Sequence, residues 1–521
     1  MSLSSINENL STTGTVGLAG AGVLGLLMAK YPDRAIFDEY REGIPHRKGV
    51  PLLGLLPIVL SNRFRLHDFQ LDNFESLDSM TVYVERLSEL RRVLVSSVEF
   101  LLFTQRMLNM CSKANNFENY AKGPNLQSAM SDLLGHGIFN ANGEQWRIQR
   151  KAASFIFSVK NFRDHFTDVF VQEMRYVTEH ILASAAADHR VVDFHDLMYK
   201  FTLDSFVLLG FGVKLHGLQQ EKQIGFAQSF DIIQHNSSWR IAFPFWRSYE
   251  TLQSIFKPWH KGPTHHLKVV DDFAYKVIKE RRQQMAEGHT FQDLLSRFMN
   301  TKYENGELLD DRALRDVIIN FIIAGRDTTA QALSWTFYNL MLHPRVEKKL
   351  VDEIFEHVNA DLEDDSPALY EAIKEMPYAH AVLYEVLRLF PSVPGNQKYA
   401  LNDDVLPDGT HVQAGDYITW HPYAMGRSTK IWGADAKSFR PERWFNEDGQ
   451  LKRESQGQWP AFHAGPRVCL GQQLATLESL VAIVMLLRRY KFTLAHDQDV
   501  TYIPSVTLPM KDGMKVFVEK R

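Results

Sequence analysis

The sequence predicts a mainly α fold (α+β): one large helical domain with a small β-sheet region beside it. Three observations carry that expectation. Apolar residues recur three and four apart over most of residues 74–490, the spacing of helices that each bury one face. Period-two alternation is confined to 92–96, 398–420 and 501–518, with Pro407-Asp408-Gly409 as a turn. No long polar linker, low-complexity tract or internal repeat divides the 521 residues, so the helices are expected to share one core although the chain exceeds the usual domain size.

Composition narrows the function. Apolar residues make up 45% of the chain and 34 residues are phenylalanine, enough to build a large core and also line a lipophilic pocket. The formal net charge is −4 with both signs interspersed, which excludes a polyanion-binding surface and so nucleic acid as a partner. With two cysteines, Cys111 and Cys469, there is no disulfide framework, and the catalytic bulk belongs in a reducing compartment.

In chain order, residues 1–30 read as an N-terminal membrane anchor. The apolar stretch 13–29 would reach ~25 Å as a helix against ~30 Å of bilayer hydrocarbon. Gly14, Gly17, Gly20, Gly22 and Gly25 weaken it, so an interfacial helix is the competing reading. Glu8 precedes the run, and Lys30, Arg34, Arg41, Arg47 and Lys48 follow it, a basic flank that favours a cytoplasmic globular part. Residues 31–60, with Pro45, Pro51 and Pro57, read as a stiff linker, and residues 61–521 as the main globular domain. Loops are expected at Gly288-His289, 302–311 and 359–367.

The longest helical pattern runs over 311–343, stops at Pro344, and would span on the order of 50 Å. Its middle holds Ala324-Gly325-Arg326-Asp327-Thr328-Thr329, which gives up roughly 2–3 kcal/mol of helix propensity. Something other than helix stability keeps those residues.

Near the C-terminus stands Phe462-His463-Ala464-Gly465-Pro466-Arg467-Val468-Cys469-Leu470-Gly471, followed by an amphipathic helix with Leu474, Leu477, Val481, Val484 and Leu487. A cysteine just before a helix start meets unsatisfied N–H donors and the positive dipole end, which favour a thiolate, the form that binds metal. Gly465 and Gly471 let backbone approach a flat ligand, Phe462 can cover the sulfur side, and Arg467 can pair with a carboxylate. A lone apolar cysteine is more often inert core, but this spacing reverses those odds.

That spacing, Phe-x-x-Gly-x-Arg-x-Cys-x-Gly, resembles the cysteine-ligand loop of the cytochrome P-450 superfamily. The family's other landmarks occur in the family's order. Glu385-Val386-Leu387-Arg388 looks like its ExxR pair, and Phe439-Arg440-Pro441-Glu442-Arg443 resembles the segment whose arginine completes a structural triad. Trp146 with Arg150 matches its propionate-binding WxxxR. The resemblance implies the P-450 fold, with haem b (iron protoporphyrin IX) and Cys469 as axial ligand of its iron. It also implies cofactor contacts from Trp146, Arg150, Lys398, Phe462, Gly465, Arg467 and Gly471, and a buried triad of Glu385, Arg388 and Arg443. Asp327 and Thr328 match the oxygen-activation motif, in which glycine and threonine loosen the helix, Asp327 relays protons and the Thr328 hydroxyl serves the reacting oxygen or its water.

The resemblance implies a monooxygenase that inserts one atom of O2 into a lipophilic substrate. Residues 324–329, 415–427 and 466–475 are most similar to microbial and plant enzymes that hydroxylate fatty acids or alkanes at the chain terminus; a sterol, terpenoid or xenobiotic is the alternative. Family topology points to Leu133, Leu134, Ile138, Phe139, Phe321, Val393, Val506 and Leu508 as pocket residues. No flavin or nicotinamide motif accompanies the haem region, so electrons are expected from a flavoprotein NADPH-cytochrome P-450 reductase, with cytochrome b5 as a second candidate donor. The expected setting is the endoplasmic reticulum membrane, with a monomeric catalytic domain facing the cytosol. A haem-thiolate isomerase or peroxygenase, and a non-catalytic haem sensor, are the competing classes.

Overall fold

In a computed structural model of the protein, the helix expected over 311–343 runs Asp311–Leu342, about 48 Å at 1.5 Å per residue. The structure describes residues 21–36, 47–76, 81–86, 97–102 and 116–521, apart from 158, 244, 258, 260, 360, 364 and 497. The side chain of Asp310 caps the central helix by accepting the Ala313 N–H at 2.8 Å, and Pro344 opens the next helix, Pro344–His357. Between Leu314 and Phe337 every residue is buried except Ala324, Gly325 and Thr328, which keep open surface on one face. The helix is continuous through 324–329, so the expected loosening is not seen. Gly325 has a packing role instead: a Cβ there would collide with the Phe206 ring.

Phe206 belongs to the helix Phe194–Phe211, apolar almost all round, as a helix must be when it is covered on every side. Asp193 caps its start, accepting the Asp196 N–H at 3.3 Å, and Gly212 ends it in the left-handed region at φ 64°.

The stretch 398–420 becomes the strands Asn396–Ala400, Asp404–Val405, His411–Val412 and Tyr417–Trp420. One sheet has the order Thr81–Arg86, Ser97–Leu102, Tyr417–Trp420, Asn396–Ala400, Tyr120–Ala121. The expected strand at 92–96 lies outside the described residues. Of 501–518 only the end is a regular strand, Lys515–Lys520, because Pro504 and Pro509 carry no N–H for a ladder. Lys515–Lys520 pairs with Val192–Asp193 and with Tyr490–Leu494, a strand that helical periodicity up to residue 490 concealed.

The expected anchor falls mostly outside the described residues. Its end, 21–30, is helical with Val23, Leu24, Leu26 and Met28 exposed, and among the described residues no helix is long and apolar enough to cross a membrane. The linker region is partly structured, since Pro57 lies in the first turn of a helix, Leu56–Ser61. Cys111 lies outside the described residues.

The expected triad is the tightest polar feature of the fold. Glu385 and Arg388, on the helix Pro377–Leu389, have no exposed side-chain surface and join through two 2.8 Å hydrogen bonds. Arg443 Nε donates to the same carboxylate at 2.9 Å, Trp444 Nε1 at 3.0 Å and the Arg440 N–H at 2.8 Å. Arg388 gives its remaining protons to the carbonyls of Gly426, Ala436 and Ser438. Removing the carboxylate leaves Arg388 buried without an ion-pair partner among the described residues and leaves Arg443 only the more distant Asp435 at 3.3 Å, so Glu385→Ala is expected to destabilise by about 3–5 kcal/mol. Denaturant unfolding checks this; an unchanged midpoint would refute the clamp.

Candidate active site

Cys469 stands between the single turn Gly465–Arg467 and the helix Gln472–Arg489. His463 and Gly465 both sit at φ 65°, which bends the loop back so that the Cys469 N–H donates to the Phe462 carbonyl at 2.9 Å. Gly465 takes this left-handed conformation without the steric cost of a side chain, which His463 bears. The sulfur accepts the Gly471 N–H, and that contact and Arg150 both favour a thiolate; burial outweighs them and pushes the Cys469 thiol up. The helix terminus alone does not offset burial at the sulfur, and a metal cation bound there would favour the thiolate. Although it lies deep in protein, Cys469 has exposed surface, so it faces an internal space.

Cations gather around that space. Arg467 donates to the Ala141 carbonyl at 2.8 Å and to Asn142 Oδ1 at 3.4 Å, with its guanidinium 4.6 Å from the Trp146 ring centre. Arg150 lies 5.7 Å from the same ring. Trp146 and Arg150 share the helix Gly143–Ser154, and Asn142, just before it, exchanges hydrogen bonds with the backbone of Lys122. Lys398 is buried in the strand Asn396–Ala400, its Nζ 5.2 Å from the Phe117 ring centre. Burial and the neighbouring Arg467 push Lys122 down to about 7; burial and Arg150 push Arg467 down to about 10. Burial, Lys398 and Lys122 push His463 down to about 3.

Among the described residues, none of Lys122, Arg150 and Arg467 makes an ion pair with a carboxylate, and Arg467 Nε has no acceptor. A cluster of desolvated cations beside a thiol that needs a metal fits a flat group carrying two carboxylates and an iron, as haem does. Lys122 is the site residue that sequence reasoning missed. Its only signal is the Gly123-Pro124 helix start that follows it.

On the central helix, the Thr328 hydroxyl donates to the Ala324 carbonyl at 2.8 Å, which leaves its lone pairs toward the open face. Asp327 is buried, accepting from Gln234 at 2.6 Å and from Arg326 at 3.3 Å. Burial pushes it up to about 6, against the opposing effect of Arg326. Gln234 comes from the helix Gly225–Ala242, a second contact the sequence did not suggest. Of the expected pocket residues, Ile138, Phe139, Val393 and Val506 keep open surface, whereas Leu133, Leu134 and Leu508 are closed into the core and Phe321 packs on Phe298. Phe462 is half-buried, its ring edge-on to Trp459.

Two substitutions separate the sulfur from the cations. Cys469→Ala is expected to abolish the strongly red-shifted Soret band of the reduced protein with carbon monoxide. Lys122→Met should keep that band while lowering the haem retained through gel filtration. Full retention by Lys122→Met would remove Lys122 from the site.

The cytochrome P450 family profile matches residues 76–514. Cytochrome P450 704B1 of Arabidopsis thaliana is 35% identical over 509 residues, covering 90% of this chain and 94% of that one. Cytochrome P450 704C1 of Pinus taeda is 37% identical, covering 91% and 93%. Cytochrome P450 monooxygenase cyp1 of Mycosarcoma maydis is 32% identical, covering 94% and 77%. The profile match and these relatives show that the chain belongs to the cytochrome P450 family and is a haem-thiolate monooxygenase.

Proposed function

We propose that the protein hydroxylates a long alkyl chain, of a fatty acid or an alkane, at its terminal carbon. The observation that carries this reading is the makeup of the expected pocket. Its open side chains, Ile138, Phe139, Val393 and Val506, are apolar, and the open face of the central helix adds one hydroxyl, that of Thr328, already bonded to Ala324. Such walls position a substrate by shape and ask of it no polar handle. The resemblance of residues 324–329, 415–427 and 466–475 to terminal hydroxylases points the same way.

Cys469 would hold haem b, which would supply the activation of O2. In the overall reaction one oxygen atom enters the C–H bond and the other leaves as water, with two electrons from NADPH and two protons, one of them NADPH's and one drawn from solvent. The proposed electron route is NADPH-cytochrome P450 reductase, with cytochrome b5 as a second donor to a monomeric protein. The chain's own part is to exclude bulk water and move protons. A carboxyl held near 6 stores and releases a proton close to neutrality, so Asp327 is the proposed source and the Thr328 hydroxyl the acceptor facing the reaction. Delivery requires Asp327 to leave Gln234.

To test the substrate, fatty acids, alkanes and sterols are titrated against the haem spin state and products are identified with reductase supplied. Aliphatic chains are expected to shift the spin state and yield terminal alcohols; no response to any of them would sink this reading. In the same assay Thr328→Ala is expected to keep consuming NADPH while product per NADPH falls roughly tenfold and peroxide rises.

We also propose attachment to the endoplasmic reticulum membrane, with the catalytic domain on the cytosolic side. Residues 13–29 would be the anchor. A second apolar surface supports the reading: the helix Trp246–Phe256 exposes Tyr249, Leu252, Ile255 and Phe256, and Trp259 follows at 80% exposure beside Lys257 and Lys261. In protein lacking residues 1–30, replacing Ile255, Phe256 and Trp259 by serine should lower partition into anionic vesicles about tenfold or more. Unchanged partition would discard this surface.

A further inference from the structure

A separate cavity of about 330 Å3 opens at the far end of the central helix, where Asn339 and His343 meet Arg427, Leu389 and Phe390, and residues 437–439. Asn339 lies eleven residues beyond Thr328, roughly 16 Å along the helix axis, and none of the residues lining this cavity belongs to the site around Cys469 described above. It is cationic, with Arg427 and Lys437 in its wall and no carboxylate among its lining residues.

Arg427 is the unusual member. Its guanidinium lies over two aromatic rings, 3.7 Å from the Tyr423 ring centre and 4.7 Å from that of Phe390. Its Nη1 is shut off from solvent and has no acceptor, and among the described residues no carboxylate or carbonyl takes a hydrogen bond from this group. The one acid that acts on its charge, Asp68, already accepts the hydroxyls of Tyr423 at 2.8 Å and Tyr502 at 2.7 Å. Burial lowers the pKa of Arg427, with Tyr423 and Asp68 opposing it weakly. Lys437 stands exposed on the rim without an ion-pair partner among the described residues. A buried cation without an acceptor is costly unless a ligand supplies one.

We propose that this cavity binds a small organic anion. Its carboxylate or phosphate oxygens take Arg427 and Lys437, and a short apolar body lies on Phe390, Leu389 and Phe439. Arg388 of the buried clamp donates to the carbonyls of Gly426 and Ser438, the chain neighbours of Arg427 and Lys437. A ligand bridging the two cations therefore ties together the same two segments from outside and stabilises the holoenzyme without reaching the haem. The inference does not depend on the identity of the substrate.

The test titrates phenyl phosphate, phenylacetate and inorganic phosphate into the haem-loaded protein by calorimetry while the haem spectrum is followed. At least one aromatic anion is expected to bind saturably at one site with an unchanged haem spectrum and a raised thermal midpoint. Whichever of the two binds more tightly identifies the head group. Inorganic phosphate, lacking the apolar body, should bind at least tenfold more weakly. Lys437→Gln, a surface change that leaves the fold intact, should weaken binding at least fivefold, and Arg427→Met should abolish it in protein that keeps its carbon monoxide spectrum. Absence of saturable binding by either aromatic anion, a haem spin-state change on binding, or an affinity unmoved by Lys437→Gln would each overturn the proposal.

Discussion

Glu385 is a full charge with no contact with water, and the cysteine loop is placed by what that charge demands. Taking a carboxylate out of water costs several kcal/mol, recovered only where geometry and hydrogen bonding are nearly complete. Here the carboxylate receives Arg388, Arg443, Trp444 and the Arg440 amide. Arg388 then satisfies carbonyls at Gly426, Ala436 and Ser438, where helix and sheet offer no ladder partner. From Trp444 the contacts continue through Trp459, 5.1 Å between ring centres, to Phe462 at 5.8 Å. Phe462 accepts the Cys469 N–H. The position of the sulfur is thus inherited from a carboxylate more than eighty residues earlier in the chain.

The other half of the site is unbalanced in its charges. Lys122, Arg150 and Arg467 crowd one another, and burial disfavours each of them as a cation. Burial likewise disfavours the Cys469 thiolate. A ligand that brought two carboxylates and a metal to the same space would relieve both penalties, the cations meeting anions and the thiolate a metal. Haem binding is therefore coupled to folding energy, and the site is completed by its ligand rather than merely filled by it.

How much of this is legible in the sequence follows from what kind of constraint each residue obeys. Cys469, Glu385, Arg388 and Arg443 lie in motifs with fixed short spacing, so residue order alone identifies them and pairs them. The central helix is bounded to within a residue because Asp310 and Pro344 are local signals. Gln234 carries no such signal and Lys122 only the helix start after it, since their importance arises from tertiary packing near Asp327 and Arg467. Gly325 reads in sequence as a helix weakness, and only the approach of Phe206 shows what it is for. Among the expected pocket residues, apolar periodicity does not separate Leu133, Leu134 and Leu508 from Ile138, Val393 and Val506. The same side chains serve a core and a lipophilic wall, and only the placement of empty space tells them apart.

The central helix turns that limitation into a functional division. Asp327 and Thr328 are adjacent in the chain but about 100° apart around the axis, so they meet different environments. Thr328 faces open space, while Asp327 joins a buried polar network in which Gln234 and Gln331 both reach Thr507, and Gln331 also reaches Tyr199. Arg326, completely enclosed, links Asp327 to Asp231, whose side chain is 40% exposed. A polar path therefore runs from the surface to Asp327 and stops one residue short of the reaction space. In the proposed relay that interruption is useful: a proton crosses only when Asp327 changes partners, and bulk water meets a wall of helix. Burial of Asp327 then does two things at once, lifting its pKa toward neutrality and keeping the source of protons out of the apolar pocket.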